Sequence, residues 1–277
     1  MPFRAFGTAE GVDVKTALCR AWRAGSIRAM NDSTFLLAIL AGTFLAAGLV
    51  KGVTGMGLPT VAMGLLGMTM TPAAAAALLV LPSFVTNVLQ MTAGPAVLRL
   101  VARLWPMLLG TVVGTAGGVV LLARVDPQTA SLALGLTLIL YAGYALAAPN
   151  LALPRRHESW LGPVVGVATG LVTGATGVFV VPAVPYLQAL RLDKDELVQA
   201  LGLSFTVSTV ALAIGLATHG AFELEQLGLS ALAIAPALLG MWLGQAIRAR
   251  IGARRFRQCF LAFLIGLGLE LASRSLA

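Results

Sequence analysis

Residues 48–57 read GLVKGVTGMG, and residues 170–179 read GLVTGATGVF. Gly48-Leu49-Val50 returns as Gly170-Leu171-Val172, and Gly52, Thr54 and Gly55 return as Gly174, Thr176 and Gly177, all at one constant offset. Only the first copy carries a lysine, Lys51; Thr173 takes its place in the second. A pattern of glycines repeated inside apolar sequence poses one question. It either lets helices approach closely or interrupts them.

The surroundings decide what kind of chain this is. Of 277 residues, 58% are hydrophobic and 11% charged, with a mean hydropathy of +0.90. A soluble domain carries roughly a quarter charged residues. Apolar stretches long enough to cross the hydrocarbon core, about 17–25 residues, follow one another from Phe35 to Ala272. Runs such as LLAILAGTFLAAGLV (36–50) lack the period-2 alternation of a membrane β-barrel. The expectation is an all-α, polytopic membrane protein, with the lipid bilayer as its first partner.

The apolar segments fall at 34–51, 56–71, 73–93, 104–123, 128–148, 160–174, 177–190, 197–217, 227–247 and 257–273. The first five resemble the last five. Besides the decapeptides, Ser83-Phe84 parallels Ser204-Phe205, Asn87 parallels Ser208, and Leu109-Gly110 with Gly114 parallels Leu239-Gly240 with Gly244. Three blocks in one order predict an internal duplication. The expected organisation is a basic tail or interfacial helix over 1–32, a repeat over 33–149, a connection over 150–158 and a repeat over 159–277. Met30 is also a natural start, which would make the tail an upstream extension.

Charge orients the repeats. The loop 248–257 holds Arg248, Arg250, Arg254, Arg255 and Arg257 without an acid, so it is expected in the cytoplasm. Counting back, Glu223 and Glu225 fall outside, the 191–196 loop and Arg155 and Arg156 inside, Arg124 and Asp126 outside, and Arg99 and Arg103 inside. Five segments per unit then invert the second repeat, an arrangement common in transporters. The basic tail dissents, because it would lie outside. A parallel four-plus-four arrangement would instead send the five-arginine loop outside. The same short-loop clustering makes the net charge of +8 a topological feature and not a nucleic-acid surface.

The second and seventh segments are short and each follows the glycine motif. Glycine is about 1 kcal/mol worse than alanine in a helix, so Gly52, Gly55 and Gly57 are expected to mark a break. Pro59 and Pro182 stand where the next helix would restart. Broken backbone at membrane depth occurs where it is buried or lines a cavity, and a helix N-terminus there attracts anions. For a single glycine, close packing is the commoner role. Duplication before short segments favours the break.

Lys51, between two long apolar runs with no acid nearby in sequence, marks a functional site by default. The competing reading is a lysine that reaches the cytoplasmic surface along its own stem. In a cavity, its partner would be an anionic substrate. Ser83, Thr86, Asn87 and Gln90 recur at i, i+3, i+4 and i+7, one helix face, and Ser204, Thr206, Ser208 and Thr209 form a looser counterpart. Such groups can solvate an oxyanion, or can simply bond between helices.

Enzyme signatures are missing. His157 and His219 lack metal-ligand spacing, Cys19 and Cys259 lie far apart, and Glu270, the only acid deep in a predicted span, stands close to its C-terminal end, where it can simply reach the interface. No nucleotide-binding G-x-x-x-x-G-K-[ST] occurs. No cofactor and no metal are expected.

The duplicated G-x-x-x-G-x-[TS]-G stretches and the short segments after them resemble the TauE/SafE family of membrane permeases, the sulfite exporters, over residues 34–273. The resemblance implies a plasma-membrane carrier of small sulfur anions such as sulfite or sulfoacetate, commonly moving them outward. It carries the family motif onto Gly52, Thr54, Gly55 and Gly57, and onto Gly174, Thr176 and Gly177. Where many members have further glycines, this chain has Leu58 and Val178-Phe179-Val180. The expected function is a secondary transporter working by alternating access, through a site of Lys51, Gly52, Thr54, Gly55, Gly57, Ser83, Thr86, Asn87, Gln90, Thr173, Gly174, Thr176, Gly177, Ser204, Thr206 and Ser208. A passive anion channel and a non-transporting scaffold are the alternatives. The oligomeric state stays open, a homodimer being one arrangement.

Overall fold

Gly55 and Gly57 both adopt left-handed backbone, at φ of 78° and 101°, and so end the first helix. In the computed structural model, which describes residues 36–147, 153–220, 224–248 and 253–276, that helix is α1, Leu36–Thr54. It is followed by α2 (Leu58–Leu66), α3 (Pro72–Met91), α4 (Val97–Arg124), α5 (Pro127–Ala147) and α6 (Arg155–Thr176). The rest are α7 (Ala183–Ala189), α8 (Lys194–Thr218), α9 (Leu224–Leu232), α10 (Ile234–Arg248) and α11 (Ala253–Leu276). Among the described residues there is no strand. The chain divides at Leu40: Met1–Leu40 is described only for the opening of α1, and Ala41–Ala277 holds everything discussed below.

Six helices among the described residues are long and apolar enough to cross a membrane; one of them, Gln226–Arg248, runs across α9 and α10. Pro236 accounts for the α9–α10 interruption at Ala233, since it has no N–H for the carbonyl of Leu232 four residues back. Both short segments are shorter than hydropathy implied. After α2 the chain turns through Gly67–Met70, and before α7 the residues Val178–Val180 are not helical. Hydropathy registers burial, not backbone conformation.

The two interruptions are built alike. Gly55 N–H donates to Lys51 O at 2.7 Å, and Gly177 N–H donates to Thr173 O at 2.7 Å. Thr54 Oγ1 reaches back to Val50 O at 2.9 Å, and Thr176 Oγ1 donates to Val172 O at 2.7 Å. Each hydroxyl also accepts the N–H two residues on, Met56 at 3.2 Å and Val178 at 3.3 Å. Pro59 is the second residue of α2 and Pro182 is the N-cap of α7, as the restart argument expects.

Gly52 and Gly174 behave differently from that argument. Both are helical, so the breaks begin at Gly55 and Gly177. Their lack of a side chain serves contact. A Cβ on Gly52 would strike Met241 O, Gln245 N and Gly244 Cα of α10, and one on Gly174 would strike Val119 N, Gly118 C and Thr115 O of α4. With no hydrophobic drive between helices in lipid, close backbone approach supplies the attraction. Gly110, Gly114 and Gly118 of α4 lie along Gly166, Gly170 and Gly174 of α6, and Gly48 and Gly52 of α1 lie along Gly240 and Gly244 of α10.

Among α2–α11 the most extensive pair is α4 with α6, followed by α5 with α11 and α3 with α8. Pro82, inside α3, leaves the Leu78 carbonyl without its helical donor. Ser230 of α9 fills the gap: its Oγ donates to Leu78 O at 2.7 Å and accepts Leu81 N–H at 3.3 Å. Ser230 is fully buried, so Ser230→Ala leaves the Leu78 carbonyl without a donor. The expected loss is about 1–3 kcal/mol, read as a lower unfolding temperature in detergent, whereas Ser230→Thr should retain most of it.

Charged groups sort to the ends of the helices. Arg99 of α4 pairs with Glu196 of α8, and Arg103 makes a two-pronged pair with Glu158 of α6 at 2.7 and 2.9 Å. Asp126 precedes α5 and accepts both the Thr129 N–H (2.9 Å) and hydroxyl (2.7 Å), which holds its carboxyl below the usual range. Glu270 pairs with Arg274 one turn on and is half exposed, and Arg274 Nη1 donates to Met68 O at 3.5 Å. It reaches an end of the bundle and does not sit deep within it. The tail 1–32, Cys19, residues 150–152, Glu223 and the side chains of Arg124, Glu225, Arg250, Arg254, Arg255 and Arg257 lie outside the described residues.

Candidate substrate site

Lys51 lies four residues before Gly55, in the last turn of α1, and is 2% exposed. It does not reach the surface along its stem. Its Nζ donates to Asn87 Oδ1 and, at 3.2 Å, to Thr86 Oγ1, both on α3. Thr86 Oγ1 in turn donates to Pro82 O at 2.7 Å. Asn87 Nδ2 donates to Thr209 Oγ1 of α8 at 3.2 Å. Lys51 of α1, Thr86 and Asn87 of α3 and Thr209 of α8 are therefore one buried network joining both halves of the chain.

No carboxylate takes part in it. The three ion pairs among the described residues involve Arg99, Arg103 and Arg274. Burying an ammonium against neutral oxygens alone leaves most of its desolvation uncompensated, a cost of several kcal/mol. The arrangement suits a site whose counter-charge arrives from outside.

The remaining predicted residues divide by what already occupies them. Ser83 on α3 and Ser204 and Ser208 on α8 are fully buried, and none of their hydroxyls has a partner. Buried hydroxyls in native proteins are rarely left so, and α3 packs on α8. Gln90 Nε2 ties the first break to α8, donating to Gly55 O at 2.7 Å and Val198 O at 3.0 Å, while its Oε1 is buried without a donor. Thr173 is buried and donates to Val178 O at 3.4 Å, across the second break.

The others are structural in this conformation. Thr54 and Thr176 close their own helices, as described above, and Thr206 bonds back to Gly202 O at 2.7 Å. Gly52 and Gly174 face helix contacts. Gly57 and Gly177 form the turns; a Cβ on Gly57 would meet Val50 and Phe260, and one on Gly177 would meet Met63. The second break is lined by apolar groups: Val178, Phe179 and Val180 are fully buried, with Phe179 6.3 Å from Phe205 ring to ring. The two breaks thus differ in chemistry, the first polar and cationic, the second apolar.

A cavity of about 510 Å³ adjoins Lys51, Gly52, Gly55 and Gln90 and extends past Val198 to Gln245 and Arg248. Gln245 and Arg248 were missed as lining residues in the sequence, where Arg248 counted only toward topology. Their signal was present in one place: Gly244 matches Gly114, and a glycine that brings α10 against α1 also brings its neighbours to Lys51. Thr209 likewise lay in the α8 stripe but was not among the expected site residues. Among the described residues no cluster of His, Cys, Asp and Glu has the makings of a metal site.

A multi-pass helical bundle with interrupted helices, a buried lysine without an acidic partner and an adjoining cavity has the build of a membrane transport protein. A family model, sulfite exporter TauE/SafE, matches residues 39–271, and the chain belongs to that family. Neither an individual curated protein nor a solved structure shows a significant match.

Proposed function

We propose that the protein is a secondary transporter of small sulfur-containing anions, sulfite or a short organosulfonate, acting by alternating access in the plasma membrane. The observation that carries this reading is Lys51: fully enclosed, bonded to Asn87 and Thr86, and without an acid. The anion would sit on Lys51, with Asn87, Ser83, Ser204 and Ser208 supplying the remaining hydrogen bonds. The open hydroxyls of the three serines suit that task.

Two inverted repeats are part of the proposal. Taking α9 and α10 as one broken helix, each half has five elements. The fourth of the first half packs on the first of the second (α4 on α6), and the first packs on the fourth (α1 on α10). The third elements pair with each other, α3 with α8, as do the fifth, α5 with α11. Reciprocal pairing of this kind is what a two-fold axis between repeats produces, and rocking about such an axis is the usual route to alternating access.

The test is counterflow in proteoliposomes, with labelled sulfite and labelled sulfoacetate run in parallel. Saturable uptake accelerated by unlabelled anion on the opposite side is expected of a carrier. Flux that never accelerates would mean a channel, and no flux of either anion would remove the sulfur-anion reading.

A further inference from the structure

The cavity beside Lys51 is graded from closed to open. Lys51 is 2% and Gln90 8% exposed, whereas Ala93, Gln245 and Arg248 are exposed. Ala93 follows α3 in the turn into α4, where Gln199 Nε2 donates to Gly94 O and Gln199 Oε1 accepts Ala96 N–H. The open end is therefore the end that carries Arg99, Arg103, Glu158 and Glu196. Arg99 and Arg103 are neutralised there by their carboxylates. Arg248, in the last turn of α10, forms no ion pair among the described residues and stands at the rim.

Its placement follows from the glycine contact. Gly244 lies against Gly52, so the face of α10 that continues through Gln245 and Arg248 runs beside the last turn of α1. Three residues at about 1.5 Å rise separate Gln245 from Arg248, about one turn nearer to water. A cation at the mouth of a low-dielectric cleft raises the local concentration of anions and their rate of entry.

We propose that this cavity is the loading vestibule of the transporter and that Arg248 at its rim recruits the anion before Lys51 binds it. The inference rests on the reading of Lys51 as an anion site. Arg248 acts on encounter and not on the translocation step, so it sets apparent affinity more than turnover.

The deciding experiment does not need transport. The full-length chain in detergent carries Cys19→Ser, Cys259→Ser and Ala93→Cys. The single thiol introduced at position 93 is labelled by two methanethiosulfonates, one bearing a sulfonate and one a trimethylammonium. A neighbouring cation raises the thiolate fraction for both reagents alike, so the ratio of their rates isolates attraction of the anion. Arg248→Gln is expected to lower the anion-to-cation ratio about five- to tenfold, and Arg248→Lys to preserve it. A thiol at that position that does not label, or a ratio unchanged by Arg248→Gln, overturns the vestibule. In counterflow, Arg248→Gln should raise KM about fivefold with kcat within about twofold, and an unchanged KM overturns recruitment. If Lys51→Met transports normally, the substrate-site reading fails separately, because the labelling ratio still decides the role of Arg248.

Discussion

Lys51→Met is expected to abolish anion counterflow while leaving the protein as stable as before, or more so. Losing one partner of a buried charge pair weakens binding by about 2–5 kcal/mol, which is roughly 30- to 5,000-fold. A purely structural residue would show the opposite stability effect, because removing a satisfied buried polar group lowers stability. Here the group removed is an ammonium held only by Asn87 and Thr86. Replacing such an ion by an apolar chain of similar volume is often neutral or stabilising. Loss of transport together with an equal or higher unfolding temperature would identify a charge kept for the substrate. Asn87→Asp makes the complementary case. It sets a carboxylate where the anion would act, so it should raise the unfolding temperature and also stop transport. If Lys51→Met unfolds at lower temperature and transports normally, the lysine belongs to the scaffold.

Much of this architecture was legible in the sequence. The ten apolar segments coincide with the helices to within a few residues at most ends, because membrane helices satisfy their own backbone and so announce themselves by length and hydropathy. The break sites were legible too, since Gly55, Gly57 and Gly177 sit where only glycine adopts positive φ readily. Sequence alone could not divide the glycines by role. Gly52 and Gly55 belong to one motif, yet Gly52 is a contact surface for α10 and Gly55 is a turn. That division depends on a helix from the other half of the chain. The same limit applied to the polar stripe. The i, i+3, i+4, i+7 spacing gathered Ser83, Thr86, Asn87 and Gln90 on one face, but only packing shows that Thr86 and Asn87 meet Lys51 while Gln90 holds the break. Thr54 and Thr176 read as ligands in sequence; in this structure their hydroxyls bond their own helix ends, because a threonine next to a terminating glycine has loose carbonyls within reach.

Those contact glycines supply the second large effect. Gly174→Ala is expected to destabilise the fold severely, and Gly143→Ala to leave it unchanged or slightly firmer. A methyl group on Gly174 would lie 2.5 Å from Val119 N and 2.6 Å from both Gly118 C and Thr115 O, all backbone atoms of α4. Side chains can rotate away from such a clash, but backbone cannot, so α4 and α6 must separate along their longest contact. Overpacking ordinarily costs about 1–3 kcal/mol, occasionally more, and a forced separation belongs at or beyond the upper end. Helix propensity pulls the other way, favouring alanine by about 1 kcal/mol. At Gly143 of α5, where an added Cβ meets nothing within 4 Å, only that favourable share remains. The same substitution in two apolar helices should therefore shift the unfolding temperature in opposite directions. Equal shifts would mean that α4 and α6 do not approach at backbone distance. Gly52→Ala adds a functional reading, since its methyl would push α10 from α1 beside Lys51 and reshape the cavity wall. It should impair counterflow even at temperatures where the folded protein persists, whereas Gly174→Ala should impair it only in proportion to the protein lost.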